Sequence, residues 1–322
     1  MRALVGALAL MLLAAPAEAA RRHAVVIGAN VGGPHHEPLR YAETDAARMA
    51  AVLRDVGGFA PGDVVLLTRT DASSVRQALI ELNARIREEP GPSLIFVYYS
   101  GHGDARAIHL YGTQLDLTEL KNLVAGSPAR SRVLVVDACQ SGAITRVKGG
   151  TPVPEFDIAF ERGTAEGLAI LTSSSASEDA QESDELGASI FTHHLVSALL
   201  GAADRDGNGL ITLGEAFAYS SERTLAVSSS TRVGPQHPTY RFDLGGRDDI
   251  VLSRPISARN MGLLVLPDDG VWVVRDALPR GGVVAEVVAD APGARLALRP
   301  GRYAILRRGK DHLLEGEVEV EN

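Results

Sequence analysis

Residues 94–103, LIFVYYSGHG, and residues 133–142, VLVVDACQSG, decide the fold and the position of its site. Each is a short run of aliphatic and aromatic residues that ends at a reactive side chain, His102 in the first and Cys139 in the second. Such runs predict buried strands of a parallel sheet. Because ligands bind beyond the carboxyl ends of the strands in open α/β sheets, both side chains are expected at the same edge.

The chemistry of these two residues predicts nucleophilic acyl transfer, because a thiol beside an imidazole is the minimum that such catalysis needs. Cys139 is the only cysteine, so an internal disulfide is not possible. A free cysteine often packs as a small buried hydrophobe, but the place of Cys139 between a strand and a Gln-Ser-Gly turn favours a nucleophile. His102 is predicted to accept the thiol proton or to pair with the thiolate. The amides of Gly103 and Cys139 are predicted to bind the developing oxyanion.

Strands and helices alternate along residues 24–226, which predicts an α/β fold with an open, mostly parallel sheet and helices on both faces. Apolar spacing places the helices at residues 39–56, 75–87, 117–124, 190–202 and 213–226. From residue 243 short alternating segments are separated by glycine-rich turns, which predicts a small antiparallel β domain over 243–322. This β domain lacks a catalytic constellation, so it is interpreted as a packing module or a module that binds an unknown partner.

The N-terminus has the anatomy of a secretory signal peptide. A basic start at Arg2 is followed by an apolar run and by Ala17-Glu18-Ala19, which fits a small-x-small cleavage site. We expect residues 1–20 to be removed, the peptidase domain to occupy 21–242, and the mature chain to be periplasmic or extracellular without a transmembrane segment. The alternative is an uncleaved membrane anchor. A net charge of −8 argues against nucleic-acid binding, which needs a basic face.

The two motifs resemble those of the caspase and metacaspase superfamily of cysteine peptidases, together with the opening Ile27-Gly28-Ala29-Asn30. The resemblance extends from about residue 23 to 242. It implies a caspase-like fold, protein or peptide substrates and a cysteine-type endopeptidase. Asp-Ala-Cys replaces the Gln-Ala-Cys of caspases. The number of residues between His102 and Cys139 is also smaller than the roughly 50 that separate the two catalytic residues in caspases. Both departures favour the metacaspase-like branch of the superfamily and argue against cleavage after aspartate.

That branch implies a pocket for a basic side chain. Asp45, in Thr44-Asp45-Ala46, and Asp137 match its acidic positions, and Ser100 matches a position that lines the pocket. A partly buried carboxylate pair also suits an arginine or lysine partner on physical grounds. The alternative is that Asp45 lies on a helix surface and Asp137 caps backbone. Cleavage after Arg or Lys is the resulting hypothesis.

Residues 204–215, DRDGNGLITLGE, fit the twelve-residue calcium loop of the EF-hand within a helix-loop-helix at about 190–226. The alternative is a solvated acidic turn. Calcium is thus the predicted cofactor, structural or regulatory, and no organic cofactor is expected, since the glycines at 28–33 lack the dinucleotide pattern. The predicted ligands, in order along the loop, are Asp204, Asp206, Asn208, the Leu210 carbonyl, Thr212 and Glu215.

Three further interpretations stay open at this stage. Residues 143–166 are predicted to form a long loop whose basic residues Arg146, Lys148 and Arg162 could be sites of self-cleavage. The same fold could serve as a catalytically silent calcium-binding scaffold, although a scaffold needs neither the histidine nor the cysteine. A transpeptidase or ligase would share the acyl-enzyme and is not separable from a hydrolase by sequence.

Overall fold

A computed structural model describes residues 20–142, 166–246, 249–278, 281–309 and 313–322 of the chain. Its strands, in chain order, are β1 (Arg21–Ala29), β2 (Val64–Thr68), β3 (Ser93–Gly101), β4 (Ala107–Leu110), β5 (Thr113–Asp116), β6 (Ser131–Asp137), β7 (Glu166–Thr172), β8 (Glu182–Ser183), β9 (Ala188–Ser189), β10 (Ile211–Thr212), β11 (Thr239–Gly245), β12 (Val251–Ser253), β13 (Gly262–Val265), β14 (Gly270–Asp276), β15 (Val283–Ala289), β16 (Arg295–Leu298), β17 (Gly301–Arg308) and β18 (Leu313–Val320). Its α-helices are α1 (Ala42–Asp55), α2 (Ala72–Glu88), α3 (Leu117–Ala125), α4 (Ile190–Ser197) and α5 (Leu213–Ser228).

The centre of the fold is a six-stranded sheet in the order β11-β7-β6-β3-β1-β2. The neighbours from β2 to β7 pair in parallel, and β11 pairs antiparallel with β7 at one edge. The predicted fold class, an open and mostly parallel sheet with helices on both faces, is confirmed. The continuous apolar runs of β3 and β6 follow from this position, because a strand in the middle of a parallel sheet is buried on both faces.

Side chains that alternate along the strands supply two separate cores. On one face Val26 and Tyr98 pack with α1, α4 and α5, and on the other Val25 and Val97 pack with α2 and α3. Two helices start where an aspartate accepts hydrogen bonds from amides of the first turn, Asp71 before α2 and Asp116 before α3. The cap at Asp71 explains why α2 begins at Ala72 rather than three residues later as predicted.

The C-terminal strands form two small antiparallel sheets, β13–β16 and β15-β14-β17-β18. They are not a detached module, since Trp272 and Val287 belong to the same hydrophobic core as Phe191 of α4. The predicted boundary at about residue 243 falls within β11, which continues the central sheet to Gly245, and β12 beyond it pairs with β10. Within the described ranges, no helix combines the length and the apolar character needed to cross a membrane.

Candidate active site

Strand register places His102 and Cys139 side by side at the carboxyl edge of the central sheet. The pairing of β3 with β6 ends at Ser100 opposite Asp137. His102 and Cys139 each follow two residues later. The two strands are neighbours, as the sequence predicts, so the thiol and the imidazole leave the sheet at one point.

His102 is held through its Nε2 atom, which lies 2.9 Å from the carbonyl oxygen of Glu37. A carbonyl only accepts, so the proton of a neutral imidazole sits on Nε2 and leaves Nδ1 as the basic nitrogen. The pKa of His102 is lowered, first by burial and next by the neighbouring ring of His36. The sequence could not identify this orienting group, because every residue carries a backbone carbonyl.

Cys139 is partly buried, and its Sγ faces the carbonyl oxygen of Ala180 at 4.0 Å. Burial raises the pKa of the Cys139 thiol to about 11, and the Asp179 carboxylate adds to the shift. Among the hydrogen bonds of the described residues, none joins Sγ to His102. The resting site is therefore a neutral thiol beside a neutral imidazole, which suits His102 to general-base chemistry rather than to a stored ion pair.

Two free amides lie beside the thiol. Neither the Gly103 nor the Cys139 N–H donates a hydrogen bond within the described part of the chain. The two segments touch, since a Cβ on Gly103 would lie 2.9 Å from the Ala138 Cβ. Gln140, directly after the thiol, has a left-handed φ of 53°, a strained turn of the kind that clusters at active sites. These amides could stabilise an oxyanion.

The two predicted acidic residues lie together and are almost fully buried. Asp45 accepts a hydrogen bond from the Ser189 amide at 2.8 Å, and Asp137 accepts one from the Thr192 hydroxyl at 2.6 Å. The second carboxylate oxygen of each has no partner within the described residues. Ser100, the third predicted pocket residue, is also buried.

Burial dominates the electrostatics of this acidic pair. It raises the pKa of Asp45 well above its ordinary range, and the charge of Asp137 raises it further, while the Ser189 amide opposes the shift. Burial likewise raises the pKa of Asp137. Since a buried, unpaired carboxylate is costly, the pair favours a cation between its free oxygens.

The acidic loop at 204–215 has the turns of a calcium loop. The Gly209 amide donates to Asp204, with 3.1 Å to its nearer oxygen, and the Leu210 amide donates to Asn208 at 2.7 Å. Glu215 accepts from the Thr212 amide and hydroxyl and so completes a capping box at the start of α5. In the described residues no three His, Cys, Asp or Glu side chains are grouped closely enough to hold a metal.

The donor set of this loop nevertheless fits a hard cation. Asp206 and Asp204 both raise the pKa of Glu215, after burial as the main cause, so the three carboxylates lie within electrostatic reach. Oxygen ligands of this kind suit Ca²⁺. Glu215 would have to give up part of its capping role to bind it.

One active-site contact was not predicted, and one group of predicted residues cannot be placed. His36 reaches the active site, where its ring stacks on that of His102 with centroids 4.8 Å apart, a contact that the sequence did not signal. The basic residues proposed for self-cleavage, Arg146, Lys148 and Arg162, lie outside the described residues.

Thiol, imidazole and a mostly parallel sheet together define the class of caspase-like cysteine peptidases. A protein-family model described as Caspase domain matches residues 21–244, the greater part of the chain. The chain therefore belongs to the caspase-domain family, and the predicted superfamily is confirmed.

Two known proteins show the range of this similarity. Metacaspase-7 of Arabidopsis thaliana is 38% identical over 89 residues, which cover 26% of this chain and 21% of that protein. The chain thus spans about a fifth of the length of that curated relative. Caspase-1 from Spodoptera frugiperda, a solved structure, matches with a TM-score of 0.52 and 14% identity over 74% of this chain and 92% of that one. At that identity the likeness concerns the fold.

Proposed function

We propose that the chain is an endopeptidase in which Cys139 is the nucleophile and His102 the general base and acid. The observation that carries this proposal is the register that puts both residues two positions beyond the paired ends of β3 and β6. Nδ1 of His102 takes the thiol proton while its Nε2–H stays on the Glu37 carbonyl. The sulfur forms a bond to the substrate carbonyl carbon.

The amides of Gly103 and Cys139 then stabilise the negative oxygen of the tetrahedral intermediate. His102 returns its proton to the leaving amine as the carbon–nitrogen bond breaks. Water, with its proton taken by the same Nδ1, hydrolyses the thioester and restores the thiol. Each step uses one base that alternates between two protonation states, so an external co-reactant other than water is not required.

Cleavage of an internally quenched peptide mixture tests this assignment. Cys139→Ala and His102→Gln should each lower kcat by at least about 10³-fold, the scale on which a nucleophile or base contributes. His35→Gln is the matched control, because His35 is an exposed histidine in the same loop, and neither the stacking contact of His36 nor the Glu37 carbonyl contact with His102 involves it. Activity retained by Cys139→Ala contradicts the assignment, whereas a wild type that cleaves no peptide favours the scaffold interpretation.

We propose further that the enzyme cleaves after Arg or Lys, with Asp45 and Asp137 binding the basic side chain. The free, buried oxygens of both carboxylates support this, since a guanidinium donates to two acceptors at once. Both carboxylates are buried. Ser189 and Thr192, which donate hydrogen bonds to them, must therefore move when a substrate side chain binds.

Fluorogenic peptides that differ only in a terminal Arg, Lys or Asp test the specificity. Asp45→Asn should lower kcat/KM for the Arg peptide by about 10²-fold or more, since a buried charge pair loses one partner. Asp184→Asn, which removes an exposed carboxylate paired with Arg40, is the control for net charge. Preference for the Asp peptide would refute the proposal.

We also propose that residues 204–215 bind Ca²⁺ through Asp204, Asp206, Asn208, the Leu210 carbonyl, Thr212 and Glu215. The ligand spacing supports it, and the Asp204 and Asp206 carboxylates lie within electrostatic reach of Glu215. Glu215→Gln is a discriminating variant, because an amide oxygen can still cap Thr212 but carries no charge. Calorimetric titration should show binding of Ca²⁺ to the wild type and at least tenfold weaker binding to the variant. A wild type that does not bind millimolar Ca²⁺ would end this proposal.

Export is proposed from the composition of residues 1–20. Mass spectrometry of the chain from a secretion-competent bacterial host should find a mature N-terminus near Ala20 or Arg21. An unprocessed N-terminus held in the membrane fraction would instead favour the anchor.

A further inference from the structure

The loop at residues 32–38 touches the imidazole of His102 twice. The carbonyl of Glu37 accepts from its edge at 2.9 Å. The ring of His36 covers its face, with centroids 4.8 Å apart and an interplanar angle of 11°. Edge and face contacts from two consecutive residues determine both the direction and the plane of the ring.

His36 is itself fixed from two sides. Its Nδ1 accepts a hydrogen bond from the Gly33 amide at 3.0 Å. The ring of His109 meets it edge-on at 4.8 Å and 81°. His109 is anchored in turn, with Nε2 on the Asp104 carboxylate at 2.9 Å and Nδ1 facing the Gln114 amide at 3.2 Å. A series of side-chain contacts therefore leads from Asp104 through His109 and His36 to His102.

The absence of a side chain at Gly32 allows the rings of His36 and His102 to stack. A Cβ on Gly32 would lie 2.4 Å from His36 Nδ1 and 2.9 Å from the His102 Cβ. Any side chain at this position would separate the two rings. The backbone thus makes room for a stack that nothing in the six-stranded sheet requires.

We propose that His36 is a positioning residue for His102, which holds the plane of the catalytic imidazole. The inference rests on the proposed function, because it concerns the base of that reaction. His36 touches neither the thiol nor, on this proposal, the substrate. Its effect runs entirely through the ring it covers.

The two neighbouring histidines also affect the pKa of His102. His36 contributes to the lowered pKa of His102 after burial, and His109 contributes in the same direction. Replacement of His36 by an uncharged side chain should therefore raise the pKa of His102. The exposure of His36 lets solvent screen this interaction, so a modest effect is expected. The titratable and charged groups on the elements around His102 are His35, His36, Glu37, Tyr99, Asp104, Arg106, His109, Asp137, Cys139 and Asp179.

Two substitutions separate orientation from charge. His36→Phe keeps a flat ring over His102 and removes the imidazole that lowers the pKa of His102, so kcat at neutral pH should stay within about twofold while the acid limb of kcat/KM moves to higher pH. His36→Ala removes the stack, so kcat should fall about tenfold with KM unchanged, as expected for a misplaced base. His35→Phe, the neighbouring exposed histidine, is the control and should change neither quantity.

NMR titration of the His102 imidazole in the full chain supplies a readout independent of turnover. His102 should titrate at higher pH in His36→Phe than in the wild type and in His35→Phe. Identical titrations, together with unchanged kcat in His36→Ala, would overturn the positioning role. Failure of the proposed function is a different result, namely peptide cleavage that survives Cys139→Ala.

Discussion

Alkylation of Cys139 by iodoacetamide should be slow at neutral pH and should accelerate up to at least pH 10. With a pKa of about 11, roughly one thiol in ten thousand is ionised at pH 7, against roughly one in a hundred for a thiol at the ordinary 9.0. Only the thiolate reacts. The rate at pH 7 should thus be about 100-fold below that of an equally accessible thiol of ordinary pKa, and it should rise about tenfold for each pH unit between 7 and 10.

Intact-protein mass spectrometry measures this rate, since the chain has a single cysteine. His102→Gln should change the rate at pH 7 by less than about threefold, because a neutral imidazole does not hold a thiolate in the resting site. A small-molecule thiol of ordinary pKa in the same tube calibrates the reagent. A rate that levels off below pH 8 and collapses in His102→Gln would refute the reasoning, because it would reveal a preformed thiolate–imidazolium pair.

Three further outcomes follow from packing and charge. Gly32→Ala should lower kcat about tenfold or more with little loss of stability, since its Cβ would enter the stacked histidine rings, whereas Gly62→Ala, with open space at its Cβ, should leave kinetics unchanged. Glu286→Gln should reduce the free energy of unfolding by about 3 kcal/mol in urea titrations, because it leaves the poorly exposed Arg223 without its ion-pair partner; a loss below about 1 kcal/mol would contradict this. Stability should also fall on acidification from about pH 6.5 towards 3, because burial lowers the pKa of His194 to about 3 and the unfolded chain then binds the extra proton. His194→Phe should flatten that fall, and an unchanged acid slope would count against it.

Sequence patterns predicted the parts of this fold that depend on local periodicity. The apolar runs of β3 and β6 report burial directly, and Asp71 marks the start of α2, so the α/β layout and the position of the strands that lead to His102 and Cys139 could be foreseen. Those signals are carried by residue type and spacing alone.

Long-range packing could not be predicted from local sequence patterns. The predicted domain boundary at 243 falls inside β11, because the antiparallel pairing of this strand with β7 is not encoded locally. The shared core between Trp272 and α4 is likewise a property of facing surfaces. The Glu37 carbonyl and the His36 ring belong to a loop whose conformation depends on contacts across the site.

The central claim, that the thiol and imidazole at the ends of β3 and β6 act as one catalytic unit, is tested most directly with a mechanism-based label. The chain would be incubated with a peptidyl acyloxymethyl ketone ending in arginine and examined by intact-mass and peptide-level mass spectrometry. A single adduct on Cys139, absent in Cys139→Ala and formed at least about 100-fold more slowly in His102→Gln, is the predicted result. Labelling at the same rate without His102, or a Cys139 that stays unmodified in an otherwise folded chain, would contradict it.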